Sequence, residues 1–278
     1  MQNIVDQIIA SIEAGTAPWQ KPWTERGVRA TNLATGKQYE GLNSLWLDIC
    51  SAQFGCNYWG GYQQLKKLGG QVRKGEKGTE ILAPMVRKGE NKKTGEEYTY
   101  ISSFKTIKIF NAAQCDGLTV IVEGENEPKE LNANKLDSFL ANTGADIRYG
   151  GDRAYYSPSS DHIQLPEINQ FHSENGYYGT ALHELIHWTG HKTRLDRLQD
   201  KSSKGYAFEE LIAEIGAYYA SIELDCPNEA ENHASYIGTW LKELQNEPKY
   251  ILQAAAQAEK ATKFLLDLSK EHQQFKAA

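Results

Sequence analysis

The chain has 278 residues, of which 40% are hydrophobic and 24% are charged, with a formal net charge of −6. This length favours two modest domains, and no stretch approaches the ~20 continuous apolar residues that span a bilayer. The N-terminus lacks the basic start and solid apolar block of a secretory signal, so we expect a cytoplasmic protein without membrane contact. The scattered cysteines Cys50, Cys56, Cys115 and Cys226 predict reduced, mostly buried thiols.

Charge is distributed unevenly along the sequence. Residues 1–122 hold 15 Lys/Arg against 11 Asp/Glu, and residues 123–278 hold 15 against 25. The sign changes at the polar, acidic segment 123–130, which contains a Gly and a Pro and is typical of a linker. We therefore predict one domain over 1–122, a linker over 123–130 and a second domain over 131–278.

The first domain mixes helices and strands. An amphipathic helix is expected up to about Ala14, with Gly15 ending it. Further helices are expected over Asn43–Ser51 and Tyr62–Leu68. Two strands, Thr79–Val86 and Tyr98–Phe110, follow on either side of a charged turn, and the second alternates with a period of two.

The second domain is mainly helical. Ala133–Asn142 predicts a helix, and short strands are expected around Asp146–Tyr149, Ala154–Ser157 and His162–Leu165. Four helices follow over Ser173–Gly190, Ala207–Leu224, Glu229–Asn246 and Pro248–Lys276. Strands early and helices late indicate an α+β fold.

The strongest motif is His183-Glu-Leu-Ile-His187. Residues four apart lie one turn apart on the same helix face, so both imidazoles can reach one ion. Glu184 lies beside the ion, where it can take a proton from a water. A five-residue pattern also arises by chance, so a third ligand is needed to support the site.

The helix Ala207–Leu224 offers carboxylates for that third position. At 100° per residue, Glu214 lies about 95° from the centre of the apolar face and Glu210 about 135°. We therefore predict Glu214 as the ligand, with Glu210 as its support or as the alternative, and Glu209 in solvent. His191 follows the helix end too closely and is disfavoured. Two imidazoles and one carboxylate leave a position open, as in hydrolytic sites; zinc is the default ion and manganese the alternative.

Aromatic and basic residues interleave in the first domain. Stacking combined with phosphate contacts is how proteins hold single-stranded nucleic acid without sequence preference. The alternative is that the aromatic residues belong to the core and the charges to a solvated face. The candidate contact residues are Trp19, Lys21, Trp23, Trp59, Tyr62, Lys66, Lys67, Arg73, Lys74 and Lys77.

Several segments resemble a known family. They are Pro18–Trp23, Tyr39–Trp46, Trp59–Tyr62, Gly69–Thr79 and Phe110-Asn111 in the first domain, then Leu165-Pro166, Tyr177-Tyr178, His183–His191 and Glu209–Glu214. In this order they resemble the ArdC antirestriction family, and the first domain also resembles that of TraC-type plasmid primases. The resemblance covers nearly the whole chain. The acidic residues Glu76 and Glu80 within the basic segment depart from a uniformly basic surface.

The resemblance implies an α+β single-stranded-DNA-binding domain, followed by a mainly helical zincin-like domain of gluzincin type. It implies a plasmid or mobile-element protein that protects incoming DNA from restriction, with single-stranded DNA and a restriction-system or other protein as possible partners. The glutamate followed by small residues in related metallopeptidases favours Glu214 again. Two rival functions stay open: a metalloprotease without a DNA-protective role, and a non-catalytic DNA-binding protein that the metal stabilises.

Overall fold

The computed structural model describes residues 2–17, 29–91, 93–118, 131–226, 234–247 and 249–277. Within them the fold is α+β, with the strands concentrated in the first part and the helices in the second. The first part contains α1 (Gln2–Glu13), β1 (Thr31–Asn32), α2 (Gly41–Ser51), β2 (Tyr58–Gly60), α3 (Tyr62–Lys67), β3 (Gln71–Val72), β4 (Thr79–Glu90), β5 (Glu97–Asn111) and β6 (Cys115–Asp116). The second contains α4 (Ala133–Thr143), β7 (Asp146–Tyr149), β8 (Tyr155–Ser157), β9 (His162–Leu165), α5 (Glu174–Thr189), α6 (Ser203–Glu223), α7 (Ala234–Asn246) and α8 (Lys249–Ala277).

The longest pairing in the first part is the β4–β5 hairpin. It belongs to a four-stranded sheet of order β1-β2-β5-β4, in which β2 pairs with only the last two residues of β5, Phe110 and Asn111. Near this base Ile81, Leu82 and Ile109 are buried, whereas residues 97–108 of β5 are all exposed. The outer hairpin therefore projects from the fold as a two-stranded arm.

A three-stranded sheet and three long helices position the metal-binding motif. The sheet has the order β7-β9-β8, with β9 central and β8 at an edge. Ser173 caps the start of helix α5, and its side chain accepts a hydrogen bond from the Gly176 N–H. This cap satisfies a backbone donor that would otherwise lack a partner. Almost every residue of α5 from Tyr177 to Thr189 is buried, so the motif lies inside the fold.

The two parts of the chain share one hydrophobic core. Ile4, Leu45 and Trp59 from the first part belong to the same buried cluster as Leu185 and Leu265 from the second. Across this interface the guanidinium of Arg29 donates to both carboxylate oxygens of Glu259. The Arg29 guanidinium also lies 4.2 Å from the centre of the Tyr219 ring. The parts are thus packed against each other rather than only tethered.

Most predicted elements are confirmed, with shifted ends. The hairpin strands extend further than expected, to Glu90 and from Glu97, and α6 begins four residues before Ala207 because Ser202 caps it. The sequence did not indicate the short strands β1, β2, β3 and β6. All four cysteines are free and buried, as expected. The predicted linker 123–130 lies outside the described residues.

Among the described residues, no helix combines the length and the apolar character that crossing a membrane requires.

Candidate metal centre

Helix α5 brings the two histidines of the motif together. His183 and His187 are one turn apart, and both are at least nine-tenths buried. Their Nε2 atoms lie 3.1 Å from each other. Two ring nitrogens at this separation can both reach one ion placed beside them. The two histidines could therefore hold one metal ion between them.

Helix α6 packs close enough to α5 to bring its carboxylates to this pair. Gly216 allows the approach, because a Cβ at that position would lie 2.9 to 3.0 Å from side-chain atoms of Ile186 on α5. The close helix packing thus takes place at a residue without a side chain. Glu209, Glu210 and Glu214 on α6 are all buried.

Glu210 completes the group of possible metal ligands. Its two carboxylate oxygens lie 3.6 Å from Nε2 of His183 and 3.5 Å from Nε2 of His187. Ligand distances of about 2.0–2.1 Å at tetrahedral angles imply roughly 3.3 Å between ligand atoms. The two Nε2 atoms lie 3.1 Å apart, and each lies 3.5 to 3.6 Å from a different oxygen of Glu210, which is close to the spacing of ligands around one ion. The residues present therefore fit a divalent ion.

Glu214 was the predicted ligand and Glu210 its support or alternative, but it is Glu210 that lies near Nε2 of both histidines. Glu214 approaches the opposite side of the His183 ring, with 3.9 Å between its Oε1 and Nδ1. Among the described residues, His183, His187 and Glu210 form the group whose possible ligand atoms all lie within 4.8 Å of one another. Angular distance from the apolar face did not separate the two carboxylates, because nearly every residue of α6 from Ala207 to Ile222 is buried.

Glu209 was expected in solvent and is instead buried behind His187. Its Oε1 lies 3.1 Å from Nδ1 of His187. Arg197 donates to both oxygens of Glu209, at 2.8 and 2.9 Å, and to the Thr189 hydroxyl at 2.6 Å. Burial raises the pKa of Glu209, but the hydrogen bond from His187 and the charge of Arg197 outweigh it and lower the pKa overall.

This arrangement fixes the tautomer of His187. A carboxylate only accepts hydrogen bonds, so Nδ1 of His187 must carry the proton that Glu209 receives. In the neutral ring the lone pair is then on Nε2, the nitrogen that faces His183 and Glu210 and that would be available to an ion. Arg197 belongs to the loop after α5, and the path of this loop brings its guanidinium to Glu209. The sequence showed no periodic signal for it.

The two remaining residues considered for the metal centre, Glu184 and His191, lie in different surroundings. Glu184 is buried on α5 beside His183, as the motif requires. His191, the disfavoured alternative, has its Nδ1 2.8 Å from the Thr193 hydroxyl and 3.8 Å from Asp161. It belongs to the loop after the helix and lies outside the group of ligand atoms.

The candidate DNA contacts fall into three groups. Trp59 is fully buried and donates through its indole to the Ser51 hydroxyl, so its predicted stacking role is wrong and it is a core residue. Tyr62 is exposed, together with Lys66, Lys67, Arg73, Lys74 and Lys77. The predictions for Trp19, Lys21 and Trp23 lie outside the described residues.

Two family models match the chain on either side of the predicted linker. Residues 1–111 match the N-terminal domain of the anti-restriction factor ArdC. Residues 134–257 match a zincin-like metallopeptidase family, and this range contains α5 and α6 with the whole group of possible ligands.

Relatives of known sequence match nearly all of the chain. A DNA primase TraC of Escherichia coli is 39% identical over 95% of this chain, which spans only 27% of that primase. The protein y4eC of Sinorhizobium fredii is 36% identical, with 93% of this chain and 88% of that protein covered.

Two solved structures match the chain from end to end. Both are crystal structures of the antirestriction ArdC protein from plasmid R388, 42% identical to this chain. The metal-free form has a TM-score of 0.81 and the Mn(II)-bound form 0.77, with at least 96% of each chain covered. With both family models and full-length relatives in agreement, the chain belongs to the ArdC-type antirestriction family.

Proposed function

We propose that this protein is a metal-dependent antirestriction factor that binds single-stranded DNA. The metal-binding part of the proposal rests on one observation: Nε2 of His183, Nε2 of His187 and the Glu210 carboxylate lie together, each nitrogen 3.5 to 3.6 Å from a carboxylate oxygen. Two imidazoles and one carboxylate leave a coordination position open, as in catalytic sites. Zinc suits this mixed set, and the Mn(II)-bound relative supports a divalent ion in general.

When bound, the ion would act as a Lewis acid that polarises a carbonyl group and lowers the pKa of a water molecule. Glu184 lies beside His183 on α5 and supplies the carboxylate that accepts a proton from water. Glu209 and Arg197 hold the ring of His187 in its ligating tautomer. Because the histidines and Glu210 are almost fully buried, their electrostatic interactions are little screened by solvent.

Isothermal titration with Zn²⁺ and Mn²⁺ tests the ligand set. Glu210→Ala should abolish stoichiometric binding or weaken it more than about a hundredfold, whereas Glu214→Ala should weaken it much less. His191→Ala is the matched histidine control and should bind like the wild type. A larger loss for Glu214→Ala than for Glu210→Ala would show that the assignment is reversed.

The DNA half rests on exposed residues around α3 and the loop that follows β3. Lys66 and Lys67 end α3, and Lys74 and Lys77 lie in the loop before β4. Arg73 is less available, since it pairs with Glu76 at 2.9 Å. Basic side chains near an exposed tyrosine suit a single strand, whose phosphates and base faces are both accessible.

Fluorescence anisotropy with single-stranded and duplex oligonucleotides at two salt concentrations tests the proposed binding of single-stranded DNA. We expect tighter binding to the single strand and a loss of affinity with salt, because phosphate contacts release counterions. Lys66→Gln with Lys67→Gln should reduce the salt dependence. Equal binding to both forms, or none, would remove DNA binding from the proposal.

Whether the centre is catalytic is tested by Glu184→Gln, which keeps the size of the side chain and removes its basicity. We propose that this variant binds metal and DNA normally but loses protection of incoming DNA from restriction in cells. Protection that survives Glu184→Gln but is lost in His183→Ala would favour the rival function, in which the metal only stabilises the fold. The TraC relative is much longer than this chain, so its primase activity is not part of the proposal.

A further inference from the structure

The β4–β5 arm exposes an unusual amount of apolar surface. Seven large hydrophobic side chains on it are at least 37% exposed: Met85, Val86, Tyr98, Tyr100, Ile101, Phe104 and Ile107. Extended exposed apolar surface of this kind marks an interaction site. A two-stranded hairpin is also only marginally stable by itself in water, so the arm is suited to function with a partner against it.

The charge of the arm identifies the kind of partner. The stretches 81–88 and 98–108 contain the basic residues Arg87, Lys88, Lys105 and Lys108 and no acidic residue. The acidic residues lie at the two ends of the arm: Glu80 at the base, and Glu90, Glu96 and Glu97 at the tip, where Glu97 pairs with Lys88 at 3.0 Å. An apolar middle section whose charged residues are all basic is complementary to a polyanion that carries aromatic groups.

Two tyrosines on the arm are placed to receive such groups. Tyr98 and Tyr100 are 53% and 43% exposed, and their ring centres lie 5.9 Å apart. Their cross-strand partners are Gly89 and Arg87, which share their face of the hairpin. Gly89 leaves room for the Tyr98 ring, because a Cβ there would lie 2.7 Å from it. Two exposed rings with an arginine alongside form a stacking surface for bases.

The arm continues the basic surface around α3. Gly78 follows Lys77 and packs closely against the base of the hairpin, since a Cβ there would lie 3.2 Å from side-chain atoms of Lys108 and Phe110. The Phe110 ring in turn contacts Tyr62 at the start of α3, with ring centres 6.3 Å apart. Aromatic and basic side chains therefore follow one another from α3 onto the arm.

We propose that the β4–β5 arm is a stacking platform for single-stranded DNA, with bases on Tyr98 and Tyr100 and phosphates beside Arg87 and Lys105. This inference rests on the proposed DNA-binding function and adds a surface that the sequence did not indicate. It extends the binding track beyond α3, so a longer single strand should bind more tightly than a short one that covers α3 alone.

The test compares Tyr98→Ala/Tyr100→Ala with Tyr98→Phe/Tyr100→Phe, using an oligothymidylate probe and anisotropy. Loss of both rings should weaken binding about fivefold to a hundredfold, the range for removing one or more base stacks. The phenylalanine pair keeps the rings and should bind like the wild type. A matched control, Tyr155→Ala/Tyr206→Ala, removes two exposed tyrosines from the other part of the chain and should also bind normally.

A companion experiment measures the contribution of charge. In a plot of log affinity against log salt concentration, Arg87→Gln/Lys105→Gln should have a less steep negative slope than the wild type. The expected reduction in steepness is about 0.7 for each phosphate that the variant no longer neutralises. Wild-type binding to single strands with unchanged affinity in Tyr98→Ala/Tyr100→Ala overturns this inference and leaves the proposed function intact. Absence of wild-type binding overturns both. A change in sedimentation without a change in DNA affinity would identify the arm as a self-association surface instead.

Discussion

Glu209 contacts one histidine of the proposed metal centre without belonging to the group of possible ligands. It accepts the Nδ1 proton of His187 in a hydrogen bond and is itself held by two nitrogens of the Arg197 guanidinium. Partners of this kind orient a ligand and increase its basicity. The roles on α6 therefore follow from which side of each imidazole a carboxylate faces.

Replacing Glu209 with Gln tests this role. We expect metal affinity to fall about tenfold to a hundredfold, because the amide no longer fixes the proton on Nδ1 of His187. Calorimetric titration with Zn²⁺ measures the change, and circular dichroism of the metal-free protein checks the fold. Unchanged affinity would show that Glu209 and Arg197 serve only to anchor the loop.

The sequence predicted which residues lie near this centre better than it predicted which carboxylate faces both histidines. The i, i+4 spacing of His183 and His187 fixes their common face on any helix, so the motif was predictable. The choice among Glu209, Glu210 and Glu214 depends on the angle at which α5 crosses α6, which periodicity within one helix does not contain. Trp59 was misjudged for a related reason, since an aromatic residue has the same sequence signature in a core and on a stacking surface.

At the scale of elements, the contact between α5 and α6 determines the geometry of the centre. Gly216 is a point of close approach, and adding one methyl group there would push against Ile186. We expect Gly216→Ala to destabilise the fold by about 1–3 kcal/mol and to weaken metal binding as Glu210 moves away from the histidines.

A glycine on a neighbouring helix provides the control for this substitution. At Gly238 on α7, a Cβ would meet nothing within 4 Å, so Gly238→Ala should stabilise the protein by roughly 0.5–1 kcal/mol through helix propensity. Urea unfolding of both variants gives the two free energies. If Gly216→Ala is as well tolerated as Gly238→Ala, close packing at Gly216 does not set the geometry.

Long elements were predictable, and short ones were not. The helices and the hairpin strands carry many turns or alternations of pattern, with glycines such as Gly15 and Gly144 marking their ends. Strands of two or three residues, such as β1 and β3, are defined by their partners across the sheet rather than by their own sequence. Projection of the arm was not predictable either, because alternation along a strand does not show whether a face is covered. The predicted period of two in β5 is also interrupted, by a register shift opposite Met85 and Val86.

At the scale of the whole molecule, the two parts predicted as separate domains are joined by a common core and a buried ion pair. We therefore expect one cooperative unfolding transition in calorimetry, even though the family models divide the chain. Two well-separated transitions in the wild-type protein would contradict this view of the interface.

The Arg29–Glu259 pair tests the interface directly. Glu259→Gln removes the nearest carboxylate from the buried Arg29 charge and leaves Glu223, at 3.9 Å, as its remaining ion pair; it should cost about 3 kcal/mol, whereas Asp146→Asn in an exposed pair should change stability little. Burial raises the pKa of Glu259, but its bonds with Arg29 dominate and lower it below 4.5. The stability that Glu259 contributes is therefore complete above about pH 4.5 and is lost as the pH falls. The gap between wild type and variant in urea unfolding should shrink accordingly; a gap independent of pH would contradict the pairing.

The central claim is most directly tested by anomalous diffraction at the zinc or manganese edge from crystals of this protein supplied with the ion. We predict one peak about 2.0–2.2 Å from Nε2 of His183, Nε2 of His187 and a carboxylate oxygen of Glu210, with Glu214 on the far side of the His183 ring. A peak bonded to Glu214 instead of Glu210, or no peak between the two histidines, would contradict the account.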